Sequence, residues 1–458
     1  MSGSEPGSEH KANRRKLFRT ALALPVLGAA LTGQAAAQTA PLVPVLMASD
    51  FGVLPGTVES RALSRLLAES AQRNLPIFFA PGDYDFREFT SPGPLRLVGV
   101  PGATRFILSR NTLVAQDIDR VSLSGISFDG ANRKLPEPNA GLLELRRIGS
   151  VQIDNCTIQN TGGHALVLEA CAGRVERCTI ERATQAAIFA VDSTGLSITN
   201  NTVHACGNGG ILVHRWEQGA DGTIVANNRV TAIRADAGGT GQNGNGVNVF
   251  RAGNVIVSNN HVADCAFSAI RANSADNIQI SNNLCLRSGE TAIYSEFTFQ
   301  GATITGNTVD GAAVGISVAN FNEGGRLAIC ANNLVRNLSA SGPYPADAAG
   351  FGLGISVEAD TSVSGNIIEG APATGIHLGW GPYLRDVSAT GNIIRDCGWG
   401  IGVSVVDGAG AALIANNLIS GAKQGGIVGH RWADHVTGDL VSGEGAPAHL
   451  TITGNRLS

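Results

Sequence analysis

An alternating apolar run that ends in Asn and resumes with Val, Ile or Leu recurs down the C-terminal three quarters of this 458-residue chain. It reads Val-Gln-Ile-Asp-Asn-Cys-Thr-Ile from Val151, Leu-Ser-Ile-Thr-Asn-Asn-Thr-Val from Leu196 and Val-Ile-Val-Ser-Asn-Asn-His-Val from Val255. A last copy, Leu-Thr-Ile-Thr-Gly-Asn-Arg-Leu, starts at Leu450. The repeat Asn positions are Asn201, Asn228, Asn260, Asn283, Asn307, Asn333, Asn366, Asn392 and Asn417, mostly spaced in the twenties. That period marks a stack of short units, each needing its neighbours to bury its apolar face.

A second phrase, Gly-Ile-x-Val or a close variant, accompanies the first, as in Gly210–Val213, Gly315–Val318 and Gly375–Leu378. Both phrases alternate with period two, so both predict strands. Two or three strands per turn, joined by Gly- and Asn-rich corners, predict an all-β, single-stranded right-handed parallel β-helix. About a dozen rungs spaced about 4.8 Å apart would make a rod of roughly 60 Å. With 59 Gly and 5% aromatic residues, its core must be a narrow one of Ile, Val, Leu and Ala.

The repeat Asn residues are expected to stack at a corner and hydrogen-bond along the rod. Cysteines keep the same registry. Cys206, Cys265 and Cys397 each follow a repeat Asn by five residues, whereas Cys156 and Cys178 occupy the Asn position itself. Such registry predicts small buried apolar groups. Cys156 and Cys178 fall on adjacent rungs, near enough for a disulfide.

Residues 1–37 read as a leader outside the fold. Asn13-Arg14-Arg15-Lys16-Leu17-Phe18-Arg19 precedes a mildly apolar stretch and Ala35-Ala36-Ala37, an arrangement that resembles a twin-arginine export signal built on Arg14 and Arg15. Pro25, Gly28 and Gly33 interrupt a segment too short to span a membrane comfortably. The reading is of a mature chain without a membrane span, delivered folded by the twin-arginine machinery and periplasmic or secreted. The leader holds five of the 33 basic and two of the 37 acidic residues, which leaves the mature chain at −7. That charge gives no footprint for nucleic acid.

Residues 38–110 form a cap and first coil, and 111–458 the repeats. Ser49-Asp50-Phe51-Gly52, a plausible helix from Val58 to Gln72 and Ala80-Pro81-Gly82-Asp83-Tyr84 resemble the opening of many pectate-lyase-like β-helix proteins. A helix there would cover the open end of the rod. Leader, cap and repeats together make the chain similar to a family of twin-arginine-translocated repeat proteins with a pectate-lyase-like β-helix. The repeats look related to those of pectate lyases and mannuronan epimerases, which implies polysaccharide as the partner. No phosphate loop, His/Cys metal spacing or haem motif is present in the sequence, so no cofactor is evident. Calcium stays open, because acidic residues are plentiful on the loops.

Chemistry on such a rod belongs on an outer face. Aligning the Gly-Ile-x-Val phrases gives an outward column of Leu212, Asn248, Arg271, Tyr294, Ser317, Ser356, His377, Gly402 and Val428. Two residues on, a second column runs His214, Phe250, Asn273, Glu296, Ala319, Glu358, Gly379, Ser404 and His430. Insertions at 234–245 and 338–350 are expected to rise as walls about 14 Å apart around Arg271, Tyr294 and Ser317.

On an acidic glycan, the favoured ligand, Arg271 would neutralise the uronate carboxylate, with Asn248 and Asn273 assisting and Tyr294 or His377 as base or acid. That constellation would make a lyase or C5-epimerase. On a neutral glycan, Glu296 and Glu358, about 10 Å apart, would suit an inverting hydrolase. The phrase Gly-Gly-Ile-x-x-His-Arg-Trp occurs twice and ends in Trp216 and Trp432; with Trp380 these offer platforms for sugar rings. A non-catalytic glycan-binding or envelope structural role is the alternative.

Overall fold

The computed structural model describes residues 44–458, apart from 88, 111, 136, 138, 139, 321, 323 and 346–349. The leader, with Arg14 and Arg15, lies outside the described residues.

Three sheets run side by side, the first two of 16 strands and the third of 15. The chain visits them in turn, so neighbours within a sheet are one coil apart and pair in parallel. The architecture is the expected right-handed parallel β-helix, of about 15 turns, or about 70 Å at the spacing of paired strands. Inward residues form continuous columns. One runs Ile198, Val225, Val257, Ile280, Ile304, Cys330, Val363, Ala389, Ile414 and Ile452, all buried.

The repeated Asn-Asn and Gly-Asn pairs have a two-part cause. Their first member turns the corner in the left-handed region, as at Asn200 (φ 59°), Asn227 (58°), Gly306 (66°) and Asn416 (57°), where Gly and Asn are tolerated best. The second member points inward and builds the ladder. From Asn228 to Asn455 each Asn Oδ1 accepts the backbone N–H of the Asn one coil before it, at 2.9–3.0 Å. Each amide also donates back to a strand carbonyl, as Asn307 does to Ile280 at 3.0 Å. Buried polar groups at the corner are thereby satisfied within the rod.

Close approach at the start of the third-sheet strands explains the Gly of Gly-Ile-x-Val. A Cβ on Gly210, Gly315 or Gly354 would overlap the carbonyl oxygen of the next coil.

Cys178 N–H donates to Asn201 Oδ1 at 2.9 Å, so the cysteines continue the ladder column. Cys156 and Cys178 sit in register, between the pairs Asp154–Glu176 and Thr157–Thr179. All eight cysteines are buried free thiols, so the disulfide that this register allows is not formed.

The predicted helix is present as Ser60–Arg73. Its Leu63, Leu66 and Leu67 are buried in the same apolar cluster as Ile77, Leu95 and Leu97 of the first coils. No described helix is long and apolar enough to cross a membrane. Near the C-terminus Asp434–Asp439 folds back antiparallel onto Gly425–Arg431 and closes that edge of the third sheet.

Candidate functional site

The outward column of the third sheet pairs in the predicted order from Leu212 through Val428. Its companion is continuous from His214 to Ala319. Arg271, Tyr294, Asn273 and Glu296 are therefore neighbours on two coils, as expected.

The expected groove around them is filled. Gly241 of the first insertion lies against Arg271 so closely that a Cβ there would overlap Nη1. Tyr344 of the second insertion donates its hydroxyl to Glu290 Oε1 and stacks on Phe267, with centroids 6.2 Å apart. Phe267 also packs under Gly244 of the first insertion. The insertions lean across the rungs because aromatic and carboxylate groups on the sheet hold them down.

Arg271 is engaged within the protein. Its Nε and Nη2 donate to the two oxygens of Glu296 at 2.7 and 3.0 Å, and Glu290 Oε2 lies 3.8 Å from Nη1. The Arg271 side chain is 15% exposed and that of Glu296 2%. Burial works against the guanidinium, but Glu296 and then Glu290 hold its pKa above the ordinary value. The guanidinium expected to meet a substrate carboxylate already has one.

Asn273 is also committed, donating to Glu296 Oε1 at 3.0 Å. Tyr294 lies under Arg271, 5.0 Å from ring centroid to Cζ, and burial, then the Glu296 charge, raises its phenol pKa. It is not poised as a base near neutrality. With Glu296 locked to Arg271, the pair Glu296 and Glu358 lacks a free first carboxylate. Glu358 is half-buried two coils on. Asn248 is buried rather than open to a ligand.

Further along the same face an open cleft of about 250 Å³ remains. Phe351, Thr374, His377, Trp380, Trp399, Gln424, His430, Trp432 and His435 line it, with Gly350, Leu353, Ala373 and Ala433. Three of the four tryptophans converge here. Trp380 meets Trp432 edge to face at 5.6 Å. Trp432 stands at the turn of the closing hairpin with φ 54°, in a region that a bulky side chain rarely adopts. Gly381 packs against its ring, with no room for a Cβ.

His377 and His430 stack in the floor at 4.2 Å. The carbonyl of Trp432 accepts from His430 Nδ1 at 3.0 Å, which places the proton on that nitrogen. Burial lowers the pKa of His430 to about 4. Burial, then the charges of His430 and His435, takes His377 well below its ordinary value. The indole of Trp399 donates to His435 Nδ1 at 3.1 Å. Both ring nitrogens of His377 and the amide of Gln424 have no hydrogen-bond partner among the described residues, and both side chains face the cleft.

Trp216, the other end of the duplicated phrase, lies eight strands from Trp432 in the third sheet and is 57% exposed. It does not share the cleft. Its His214 instead enters a column of rings, 5.5 Å from Phe189 and 5.6 Å from Phe250.

Sequence reasoning named His377, Trp380 and Trp432 as candidates and placed Trp380 close to His377, but did not bring Trp432, Trp399, Gln424, His430 and His435 into one site with them. His430 was visible in the second outward column. What hid the rest was the reversal at Asp434, which no repeat pattern announces. Likewise Glu290 and Tyr344 lie outside the aligned columns. Among the described residues no group of three or more His, Cys, Asp or Glu is placed to hold a metal ion.

A family model for the right-handed β-helix region matches residues 109–240 and 218–324. No curated protein sequence matches the chain. Similar solved structures include the A-module of the mannuronan C-5 epimerase AlgE6 from Azotobacter vinelandii, 13% identical with a TM-score of 0.42, covering 90% of this chain and 99% of that one. The catalytic unit of the GH87 α-1,3-glucanase from Streptomyces thermodiastaticus is 14% identical, TM-score 0.42, covering 94% and 70%. The pre-mature bacteriophage phi29 gene product 12 is 14% identical, TM-score 0.48, covering 86% and 58%. At these identities the likeness is one of fold.

Proposed function

We propose that this protein binds a glycan on the outer face of its third sheet, with a sugar ring seated among Trp380, Trp399 and Trp432. The observation that carries the reading is the convergence of three indoles on one open cleft, in a chain with only four. Indoles present flat apolar faces with a polar handle, the combination that pairs with a sugar's C–H face and hydroxyl rim. The left-handed backbone of Trp432 supports it, because strain of that kind gathers where a side chain must be aimed. His377 and Gln424 supply open donors and acceptors for hydroxyl groups.

The reading is of recognition. Uronate lyase or C5-epimerase chemistry needs a guanidinium free to meet a carboxylate, and Arg271 would have to leave Glu296 to do so. Hydrolysis needs two carboxyl groups across the bond, and no carboxylate lines the cleft among the described residues.

Export belongs to the same proposal: the Arg14-Arg15 leader would deliver the rod to the periplasm or beyond, where polysaccharide lies. Cell fractionation of the Arg14→Lys, Arg15→Lys double variant tests that part, and unchanged export would refute it.

Titration of the protein with soluble polysaccharides, following tryptophan emission, tests the binding. A saturable change that Trp432→Ala abolishes is expected. No change with any polymer would sink the reading.

A further inference from the structure

We propose that the sugar unit seated in the cleft is uncharged, so that neutral polysaccharides are bound and uronate polymers are excluded. This rests on the glycan reading above and narrows it.

Among the described residues lining the cleft there is no Asp, Glu, Lys or Arg, although the chain carries 33 basic and 37 acidic residues. The only ionisable groups in the lining are His377, His430 and His435. The packing of His377 against His430 disfavours a charge on both. His430 gives its Nδ1 proton to the Trp432 carbonyl and faces His377 at 4.2 Å, where two imidazolium ions would repel. His435 Nδ1 accepts from the Trp399 indole. Burial disfavours the charged form of His377 and His430 further.

A carboxylate placed among these rings would lose water without gaining a cation. Arg271, embedded on this face of the sheet, is turned into Glu296 beneath the insertions. Lys423, Arg431 and Asp434 flank the cleft on exposed stretches but do not line it. Hydroxyl groups, in contrast, meet His377 and Gln424, whose side-chain polar atoms have no partner among the described residues. At about 250 Å³ the cleft falls just below the roughly 300–1,000 Å³ typical of drug-sized ligands. It therefore suits a ring or two of a chain.

The test compares polymers that differ only in charge. Pectate and alginate are titrated beside their carboxyl-reduced forms, with neutral glucans and mannans alongside, near neutral pH and at fixed salt. Tryptophan emission and affinity electrophoresis report binding. At least one neutral polymer should bind, and its uronate counterpart more weakly by about thirtyfold or more. Trp432→Ala should remove the neutral binding. Equal or tighter binding of a uronate form overturns this inference while leaving the glycan reading intact. Failure of every polymer to bind overturns both.

Discussion

His377 and His430 come from coils two apart on the third sheet and stack with centroids 4.2 Å apart and planes 15° from parallel. Gly402, between them in the sheet, makes this possible. A Cβ there would lie 3.4 Å from the His430 ring and 3.6 Å from that of His377. Gly402→Ala should therefore leave glycan binding unchanged. Gly402→Leu should part the rings and fill the cleft floor, weakening binding about tenfold or more with the fold intact. Circular dichroism and the tryptophan titration separate these outcomes, and normal binding by Gly402→Leu would show that the floor is not part of the site.

Trp432 and Trp216 end the same phrase but stand about 38 Å apart along the sheet. Replacing Trp432 with Ala should cost about 2 kcal/mol of binding, the scale of a central aromatic anchor. Trp216→Ala should cost little. Equal losses from the two would mean that the cleft is not where the ligand sits.

Arg271→Ala should behave as a folding mutation. It would leave Glu296 buried without its partner, at about 3–5 kcal/mol, while affinity in the cleft stays the same. Denaturant unfolding beside a binding titration decides between this and a role in the site, for which binding would fall and stability hold.

The Asn ladder makes a similar demand. Asn307 accepts from Asn283 and donates to Ile280 and Asn333. Asn307→Ala removes these bonds at once and should cost at least about 2 kcal/mol, since each orphaned buried group costs about 1–3. Asn277→Gly, at an exposed position with φ 50°, should be close to neutral.

Acid sensitivity should appear above the carboxylate range. His164, His214 and His430 are held neutral by burial, with pKa values lowered to about 4, whereas unfolded imidazole titrates near 6.5. Below about 6.5 the unfolded chain gains protons that the folded one refuses, so stability falls down to about pH 4 and then levels for these groups. Thermal midpoints measured at about pH 7.5, 5.5 and 4.5 should decline across that window. His214→Phe, which extends its column of rings, should flatten part of the decline. A midpoint constant from neutral to about pH 4.5 would contradict the buried neutral imidazoles.

Much of the rod was legible because its determinants are local and repeated. Asn at the ladder, Asn or Gly before it, and Gly before the third strand each answer a constraint that recurs every coil. The aligned phrases even yielded the correct outward registry from Leu212 to Val428. What the repeat could not convey was how the insertions lie. Whether Tyr344 stands beside the sheet or bends onto Glu290 depends on Phe267 and Glu290, which occupy no conserved place in the phrase. Arg271 likewise read as available, because a one-dimensional column does not show that Glu296, one coil on and two residues along, meets both arms of its guanidinium.

The cleft draws its walls from the coils between Leu353 and Asp439 and from the insertion that precedes them. Backbone pairing joins each coil only to those above and below it. Whole turns could therefore be added or lost upstream of the coils that hold the insertions, those of Phe267 and Glu290, without moving any wall of the cleft, so the length of the rod and the identity of its ligand are free to change independently. A protein built this way could set how far its binding end stands from its N-terminal helix by counting turns, and refit that end for another polymer by exchanging the final few.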